Sequence, residues 1–454
     1  MVGPKKPKLR AAKSVNGVDM ISNLPDSVLI SIISLLPTKT AVSTGILSRR
    51  WRHVWKDLQV FDIDGGPFFL PRKEAPFVAY VDGILAQRNP LLPIERFSLC
   101  CDLSDDDPLV MWVQACIGPH LQSLHLEVCL SCYEFYLPRE VFTCTSLRSL
   151  VLKCDSCLDD FPPRFCLPSL EYMELELLDA DCENLFSGCP ALRELKVKLS
   201  DPVRNNWHGS HTIIMPPSLK RLTFEELRPS RVNDIVYLEI DTPYLEYLNL
   251  KIQTPCFLFE VSNFPNIVEA HLDIFQCVEH EHNVDWVAQL LKALCRTKLL
   301  TMKHYTTQCL FEATDLELPK FCCLLNLELD FVSFNSNFLM NLLHNCNLLQ
   351  VFAIHNRKHR HMNWVEYTGP APPTGVPICV TSHLKIFMFG EYEDAADEHA
   401  FTAYLLKRGL VLETAAIHPM SDFDIWRKHD ILKRLSAMPR GSNKCQIKFG
   451  SLTY

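Results

Sequence analysis

A six-residue pattern of the type Leu-x-x-Leu-x-Leu recurs along most of the chain and limits its possible folds more than any other feature. The thirteen copies are IERFSL (94–99), LQSLHL (121–126), LRSLVL (147–152), LEYMEL (170–175), LRELKV (192–197), LKRLTF (219–224), LEYLNL (245–250), IVEAHL (267–272), LLTMKH (299–304), LLNLEL (324–329), LQVFAI (349–354), LKIFMF (384–389) and LETAAI (412–417). The first seven steps between copies are 27, 26, 23, 22, 27, 26 and 22 residues long.

Steps of this length are typical of leucine-rich repeats. Apolar and polar residues alternate inside each copy, which predicts a short β-strand. One such strand cannot bury its own apolar face, so neighbouring copies must stack. The segments between copies, for example 183–191 and 338–347, carry apolar residues at helical spacing. We therefore predict an α/β solenoid with a parallel sheet on its concave face and helices or irregular turns behind.

The polar positions of each copy are expected to point out of the concave face. They combine both signs of charge with tyrosine, a composition that suits protein recognition and also suits an ordinary solvated sheet. The predicted target-binding residues on this face are His125, Arg148, Tyr172, Arg193, Arg221 and Tyr247.

A second dense pattern spans residues 20–61. Pro25 and Asp26 suit the first turn of a helix, and the apolar residues behind them recur at helical spacing until Pro37. Thr38 and Ser48 can cap two further helices. Three short helices with this much apolar surface should bury part of it outside the segment.

This segment resembles an F-box of the plant type. The Leu-Pro start, the Leu-Pro-Thr-Lys middle and the Leu-Ser-Arg-Arg-Trp end fall in order over about 40 residues, and Gly45 departs from the usual pattern inside the second helix. The resemblance implies an adaptor of an SCF-type ubiquitin ligase that docks on a Skp-type linker protein and through it on a cullin. The predicted docking residues are Leu24, Pro25, Leu29, Ile32, Leu36, Pro37, Val42, Leu47, Trp51 and Trp55. Some of them must also serve the core of the F-box itself.

Two other interpretations remain open. The three helices can be a bundle whose leucine and tryptophan residues form only its own core. The whole chain can also be a repeat scaffold or ligand-binding protein that works without a ligase.

The C-terminal residues resemble the FBD module that follows the repeats in plant F-box proteins. The signal is a Gly-x-x-x-acidic turn, helices at 395–407 and 425–437, strands at 412–417 and 445–449, and a Pro-Arg-x-Ser-x-x-Cys-x-Ile-x-Phe ending with Gly441 among its small residues. The predicted divisions are a basic tail (1–19), the F-box (20–61), a linker and first capping region (62–93), the repeats (94–379) and an FBD-like cap (380–454).

Charge and composition narrow the partners. A net charge of −8 argues against a nucleic-acid binder, and no apolar run approaches the length of a membrane span. The tail lacks an apolar segment behind its lysines and does not resemble a secretory signal. Its basic residues can be a nuclear-import patch or simply solvated. Twenty scattered cysteines are expected to be reduced, which predicts the nucleus and/or the cytoplasm.

Sites for chemistry are scarce. Phosphate-binding, dinucleotide, nucleophile-elbow and zinc-protease motifs are absent from the sequence. Cys129-x-x-Cys132 and Cys154-x-x-Cys157 have zinc-ligand spacing, but the repeat period generates it. Histidines at 280 and 282 and the run from His355 to His361 can bind a metal or phosphate, or be solvated in loops. We predict no enzyme activity, no cofactor and no metal.

Overall fold

The computed structural model describes residues 21, 23–66, 74–104, 107–130, 134–135, 137–154, 157–158, 164–177, 185–199, 210–226, 235–253, 257–275, 284–312, 317–357 and 373–449. Several expectations fall outside these residues and are not addressed by the structure. They concern the basic tail, Cys132, His280, His282 and residues 358–361.

Three short helices form the F-box-like segment, as predicted. They are α1 (Asp26–Ile33), α2 (Thr38–Ser43) and α3 (Trp51–Val54), with 3-10 turns at Thr44–Ile46 and Trp55–Asp57. Helix α1 begins after Pro25 and has Asp26 in its first turn, where a carboxylate faces the positive end of the helix dipole.

The predicted caps Thr38 and Ser48 do not cap these helices. Helix α2 follows Pro37 and α3 follows Arg50, and neither helix start has a side-chain cap. The buried Thr38 hydroxyl instead accepts a hydrogen bond from the Asp62 amide at 2.7 Å, which ties α2 to the strand that follows. Gly45 lies in a 3-10 turn rather than inside α2, so it does not interrupt that helix.

A single parallel sheet of fifteen strands runs through the described chain. In spatial order its strands are β1 (Val60–Asp64), β2 (Arg96–Leu103), β3 (Ser123–Leu130), β5 (Ser149–Cys154), β7 (Tyr172–Leu177), β8 (Glu194–Leu199), β10 (Arg221–Glu226), β12 (Tyr247–Ile252), β14 (Glu269–Ile274), β15 (Leu299–Met302), β16 (Asn326–Phe331), β17 (Val351–Asn356), β18 (Ile386–Tyr392), β19 (Thr414–Pro419) and β20 (Gln446–Lys448). Each strand pairs with the next repeat along the chain, so the predicted solenoid sheet is confirmed.

The first strand of the sheet was missed in the sequence because it overlaps the F-box-like segment. Residues 58–63 read LQVFDI, which is one more copy of the repeated pattern. Leu58, Phe61 and Ile63 are buried, and β1 pairs in parallel with β2 through Phe61 opposite Phe97. The segment expected to be a linker therefore begins inside a strand of the main sheet.

One predicted copy was out of register. The other strands of the series start at the third position of their copies. Strand β15 instead starts at Leu299, which is the first position of the predicted copy LLTMKH. The true copy is TKLLTM (297–302), in which Thr297 takes the place of the first leucine. Thr297, Leu300 and Met302 are all buried, so a threonine occupies a core position and hides the pattern.

The backs of the repeats change character along the chain. Early and late repeats have helices, namely α4 (Glu74–Gln87), α5 (Asp107–Cys116), α6 (Val284–Ala293), α7 (His304–Glu312), α8 (Ser336–His344) and α9 (Ile378–Ser382). The middle repeats instead have 3-10 turns (Arg139–Thr143 and Leu185–Gly188) and small parallel sheets. These sheets pair β4 (Glu134–Phe135) with β6 (Cys157–Leu158), and β11 (Ile235–Ile240) with both β9 (Ser210–Ile214) and β13 (Phe257–Val261). The expected helix at 183–191 is thus only a 3-10 turn.

The C-terminal module continues the sheet with β18, β19 and β20 and adds α10 (Ala396–Arg408) and α11 (Ile425–Ser436). Both predicted helices and both predicted strands are present within two residues of their expected bounds. Because β18 pairs with β17, the module is hydrogen-bonded onto the last repeat.

The backs are packed closely enough to require glycine at one position. A Cβ added to Gly188 would lie 1.5 Å from the Phe165 carbonyl oxygen. The Leu167 amide donates to the Gly188 carbonyl at 3.0 Å, and the rings of Phe142 and Phe165 stack at 5.1 Å. The absence of a side chain at Gly188 lets two neighbouring repeats come into backbone contact.

Candidate functional site

The F-box-like segment exposes an unusual amount of apolar surface. Leu35 and Ile46 are 85% and 87% exposed, and Leu47 is 66% exposed. Leu35 follows α1, and Ile46 and Leu47 lie at the 3-10 turn after α2. Isolated exposed apolar residues are ordinary, but several of them in one short segment are typical of a protein-binding surface. We call the exposed and half-buried apolar residues of this segment the docking face.

The ten predicted docking residues divide by burial. Pro25, Ile32, Leu36, Pro37 and Leu47 are exposed, and Leu24 and Val42 are half-buried. Leu29, Trp51 and Trp55 are buried in the core of the protein. The structure therefore corrects the prediction for these three residues, which support the docking face from beneath instead of forming it.

Four exposed apolar residues were left out of the predicted set. They are Ile21, Val28, Leu35 and Ile46. Val28, Ile32 and Leu35 follow one another at intervals of four and three residues. The first two share one side of α1, and Leu35 lies in the turn after the helix ends at Ile33. That spacing was the signal that could have identified Val28 and Leu35.

An arginine joins the two ends of the F-box-like segment. Arg50 Nε and Nη2 donate to Asp26 Oδ1 at 2.8 and 2.6 Å, and Nη2 also donates to the Leu24 carbonyl at 2.5 Å. The Leu-Pro-Asp start is thereby held against the Ser-Arg-Arg end. We call these contacts of Arg50 with Asp26 and the Leu24 backbone the clamp.

The second candidate surface is the outward face of the main sheet, where polar side chains form rows across the strands. One row places Tyr172, Glu194, Arg221 and Tyr247 in register on successive strands. The Arg221 guanidinium lies 4.0 Å from the centre of the Tyr247 ring, and Lys196 lies 5.3 Å from the Tyr172 ring. These are cation–π contacts within the protein itself.

Other charges in this region are also paired. Arg148 Nη1 lies 2.8 Å from Glu171 Oε1, and His125 lies 3.7 Å from Glu127. The Tyr172 hydroxyl donates to Glu174 at 2.5 Å. Partial burial alone would raise the pKa of Glu174, but hydrogen bonds from Tyr172 and Lys153 outweigh it and lower that pKa.

Signs of charge alternate along the third outward row. In register across seven strands it reads Glu127, Lys153, Glu176, Lys198, Glu225, Lys251 and Asp273. Lys198 Nζ lies 2.5 Å from Glu176 Oε1, and Lys153 Nζ lies 3.9 Å from Glu127 Oε2. Opposite charges on directly paired strands stabilise a sheet, so this row strengthens the solenoid.

Four of the six predicted target-binding residues, His125, Tyr172, Arg221 and Tyr247, lie at outward positions of strands, whereas Arg148 and Arg193 immediately precede β5 and β8. Arg148, Arg193 and Arg221 are exposed, and His125, Tyr172 and Tyr247 are half-buried. The structure brings Arg221 and Tyr247 together, whereas His125 and Arg148 contact acidic neighbours of their own.

The end of this face holds the one group of side chains in the described residues with metal-ligand types close together. Ligand atoms of Glu328, Asp330 and His355 lie within 4.8 Å of one another. Lys303 Nζ lies 3.1 Å from Glu328 and 3.4 Å from Asp330, and Arg357 Nε also lies 3.4 Å from Asp330. These two cations neutralise the carboxylates, so the group is an ionic network between strands.

His355 corrects another expectation. The sequence suggested that the run beginning at His355 is a polar loop, but His355 and Asn356 end strand β17 and are buried. Burial lowers the pKa of His355 and outweighs the opposing effect of Asp330. A buried, predominantly neutral imidazole is not a phosphate-binding loop residue.

The acidic turn of the C-terminal module is locked by side-chain contacts. Asp394 has a positive φ of 65°, forms an ion pair with Arg434 and accepts a hydrogen bond from the Tyr392 hydroxyl at 3.1 Å. The buried Glu398 carboxylate accepts the Glu393 and Ala395 amides at 2.9 and 3.3 Å. Burial raises the pKa of Glu398 to about 7 despite these bonds.

Comparison with known sequences agrees with this architecture. The F-box domain family matches residues 21–62, the leucine-rich repeats of the FBD-associated F-box protein At5g56370 match 109–267, and the FBD family matches 372–417. The F-box/FBD/LRR-repeat proteins At4g26340 and At5g56420 of Arabidopsis thaliana are 28% and 27% identical to the chain. Each match covers 95% of this chain and 99% or more of the relative. The chain is a plant F-box, leucine-rich-repeat and FBD protein.

The docking face is accordingly the exposed side of an F-box, a domain through which proteins bind other proteins. F-box proteins of this architecture act in general as adaptors rather than as enzymes. In the described part of this F-box protein, no helix has the length and apolar character needed to cross a membrane.

Proposed function

We propose that this F-box protein is the target-recognition subunit of an SCF-type, cullin-RING ubiquitin ligase. The F-box docks on a Skp-type linker and through it on a cullin, and the repeats hold the target protein. The observation that carries this proposal is the exposure of apolar residues of the F-box, above all Leu35, Ile46 and Leu47. Burying one such side chain contributes about 1.5–3 kcal/mol, so a few of them can hold a linker.

The proposed docking surface joins the accessible residues of the predicted set to those found in the structure. Its members are Ile21, Leu24, Pro25, Val28, Ile32, Leu35, Leu36, Pro37, Val42, Ile46 and Leu47. The buried Leu29, Trp51 and Trp55 keep this surface in shape, and their replacement should unfold the domain rather than only weaken docking.

We further propose that the chain itself catalyses no reaction. Holding the target beside a ubiquitin-charged enzyme raises its effective concentration, and this requires no reactive side chain on the adaptor. The target is held on the outward face of the sheet. The proposed location is the nucleus and/or the cytoplasm, which suits described cysteines such as Cys100, Cys166 and Cys322 that are free thiols.

The test is capture of a purified Skp-type linker by the full-length protein. Ile46→Asp with Leu47→Asp should weaken capture at least about tenfold, because charges then replace apolar contacts at the centre of the interface. Leu24→Ala with Pro25→Ala tests the start of the motif in the same way. Leu91→Asp is the matched control, since Leu91 is 89% exposed but lies outside the F-box. Undiminished capture by both docking variants would rule out this surface.

The rival function is a repeat scaffold that works without a ligase. Affinity purification from plant cells separates the two: the ligase proposal expects a linker and a cullin with the wild-type chain and neither with the Ile46→Asp, Leu47→Asp variant. A wild-type purification that contains other partners but no linker would favour the scaffold.

A further inference from the structure

The outward face of the sheet changes composition at β15. From β3 to β14 its rows carry the paired charges and cation–π contacts described above. From β15 to β19 the first two of these rows are more apolar, although β16 contributes the polar Asn326 and Glu328 to them. In the row that holds Arg221 and Tyr247, the later strands present Leu299, Asn326, Val351 and Ile386. In the next row they present Thr301, Glu328, Ala353, Met388 and Ala416.

We define the apolar patch as Leu299, Leu325, Val351, Ile386 and Met388. All five side chains are half-buried and keep contact with solvent. Val351 and Ile386 are paired on adjacent strands, Met388 follows Ile386 on the same side of β18, and Leu325 immediately precedes β16. Asn326 of β16 lies between Leu299 and Val351 in the row. The small side chain of Ala353 is the register partner of Met388 on the adjacent strand.

The two halves of the face differ in what a target would gain by binding. A target that binds near Arg221 or Lys198 must compete with ion pairs and cation–π contacts that the protein already makes with itself, and the net gain from such exposed pairs is small. At the apolar patch the side chains lose only water when they are covered. Removal of apolar surface from water is the larger favourable term.

Two lysines indicate the charge of the occupant. The segment preceding the strands places Lys298, Leu325, Gln350 and Lys385 side by side, joined by backbone hydrogen bonds, with Glu413 next in line. Lys298 and Lys385 are exposed, and within the described residues neither side chain forms an ion pair. A carboxylate on the occupant would complement these ammonium groups at the border of the patch.

We infer that the apolar patch is the target-binding site, and that it takes a segment of a target protein with at least two apolar side chains next to an acidic residue. The inference rests on the proposed adaptor function, because it assigns the place on the adaptor where the target is held. It moves target recognition from Arg221 and Tyr247 to β15–β18. An extended segment suits this surface because the patch is a row across parallel strands.

The test uses a displayed library of random twelve-residue peptides selected on the full-length protein in complex with its Skp-type linker. The expected peptides combine apolar residues with aspartate or glutamate. Their affinity should fall at least about tenfold in Val351→Ala with Ile386→Ala. The affinity should fall less in Lys385→Ala than in the double variant. The difference between Lys385→Ala and the wild type should shrink at high salt, because salt screens the lysine contribution. Arg221→Ala with Tyr247→Ala is the matched control and should bind as the wild type does.

Three outcomes would overturn the inference. One is selection of peptides whose binding is lost in the Arg221→Ala, Tyr247→Ala protein and kept in the patch variant. Another is enrichment of basic or wholly polar peptides. The third is that no peptide is enriched on the complex relative to a selection on the Skp-type linker alone. Thermal unfolding of each variant verifies the fold, and Ile386→Ser provides a single milder change if the double variant unfolds. Linker capture is measured separately, so failure of the ligase proposal remains distinguishable from failure at the patch.

Discussion

Arg50 binds Asp26 across the F-box, with Nε and Nη2 at 2.8 and 2.6 Å from the same carboxylate oxygen. The two residues are 24 positions apart in the chain and belong to opposite ends of the motif. Both side chains are partly exposed, so the ion pair by itself contributes about 1 kcal/mol or less to folding. Its greater effect is to fix where the Leu24 backbone lies, since the same guanidinium also binds the Leu24 carbonyl.

Replacement of Arg50 should therefore affect docking more than folding. We expect Arg50→Ala to weaken linker capture about tenfold while the unfolding temperature changes by only a few degrees. Arg50→Lys should recover only part of this loss, because an ammonium cannot reproduce the planar guanidinium contacts. Binding is measured with purified linker. Arg49→Ala is the control, because Arg49 is exposed beside it, and an equal loss in both variants would contradict the clamp.

Glu398 should make the C-terminal module sensitive to pH. The pKa of its carboxyl is raised from 4.5 to about 7 in the folded protein, so between these values the folded state binds more protons than the unfolded state. The free energy of unfolding then falls as pH rises from about 4.5 to about 7. The shift corresponds to about 3 kcal/mol at most.

The measurement compares the wild type with Glu398→Gln, which cannot ionise. Thermal unfolding between pH 5 and pH 8 should show the wild type losing stability relative to the variant up to about pH 7 and running parallel to it above. Asp397→Asn changes the exposed neighbour and should follow the wild type throughout. A constant difference between wild type and Glu398→Gln would refute the raised pKa.

Gly188 should be intolerant of any side chain. The Cβ of alanine would meet the Phe165 carbonyl oxygen at 1.5 Å, so the backbones of two repeats must move apart. We expect Gly188→Ala to cost about 2–4 kcal/mol in the free energy of unfolding, measured by urea denaturation. Gly118→Ala is the matched control, since an added Cβ there meets nothing within 4 Å. A cost below that of the control would show that the repeats can separate freely.

Reversal of one charge in the alternating row should destabilise the sheet. Lys198→Glu would place carboxylates on three successive strands, at 176, 198 and 225. We expect this variant to lose about 1 kcal/mol relative to Lys198→Met. The loss should shrink in 1 M NaCl, where the screening length is about 3 Å. Unfolding temperatures at low and high salt provide the measurement, with Lys292→Glu on α6 as the control. A salt-independent loss would point to packing instead of charge.

The sheet was predictable because its signal repeats. Each copy places leucine-like residues at the same three positions, and most copies identified their strand correctly. The exceptions have local causes: Thr297 replaces a leucine, and residues 58–63 are shared with the F-box motif. The backs were less predictable, since β9, β11 and β13 gain their stability from pairing with one another, and such pairing leaves no helical period in the sequence.

The docking face was predictable as a region but not residue by residue. Helical spacing shows that α1 and α2 are apolar, yet it does not reveal which side the rest of the protein covers. Leu29 and Ile32 are only three residues apart, and the first is buried while the second is exposed. That difference depends on which side of α1 packs against α3 and the 3-10 turn at Trp55–Asp57. On the sheet, the repeated six-residue pattern identified the outward positions. It did not show which of the charges at these positions are paired with each other.

The missed strand β1 has a mechanical consequence. Since it begins five residues after Trp55 and its Asp62 amide is bonded to Thr38, the F-box and the solenoid have no free linker between them and share one continuous core. In the proposed ligase such an adaptor acts as a fixed spacer instead of a tether. The length and flexibility of the target would then determine which of its lysines receives ubiquitin, because the solenoid does not move relative to the F-box.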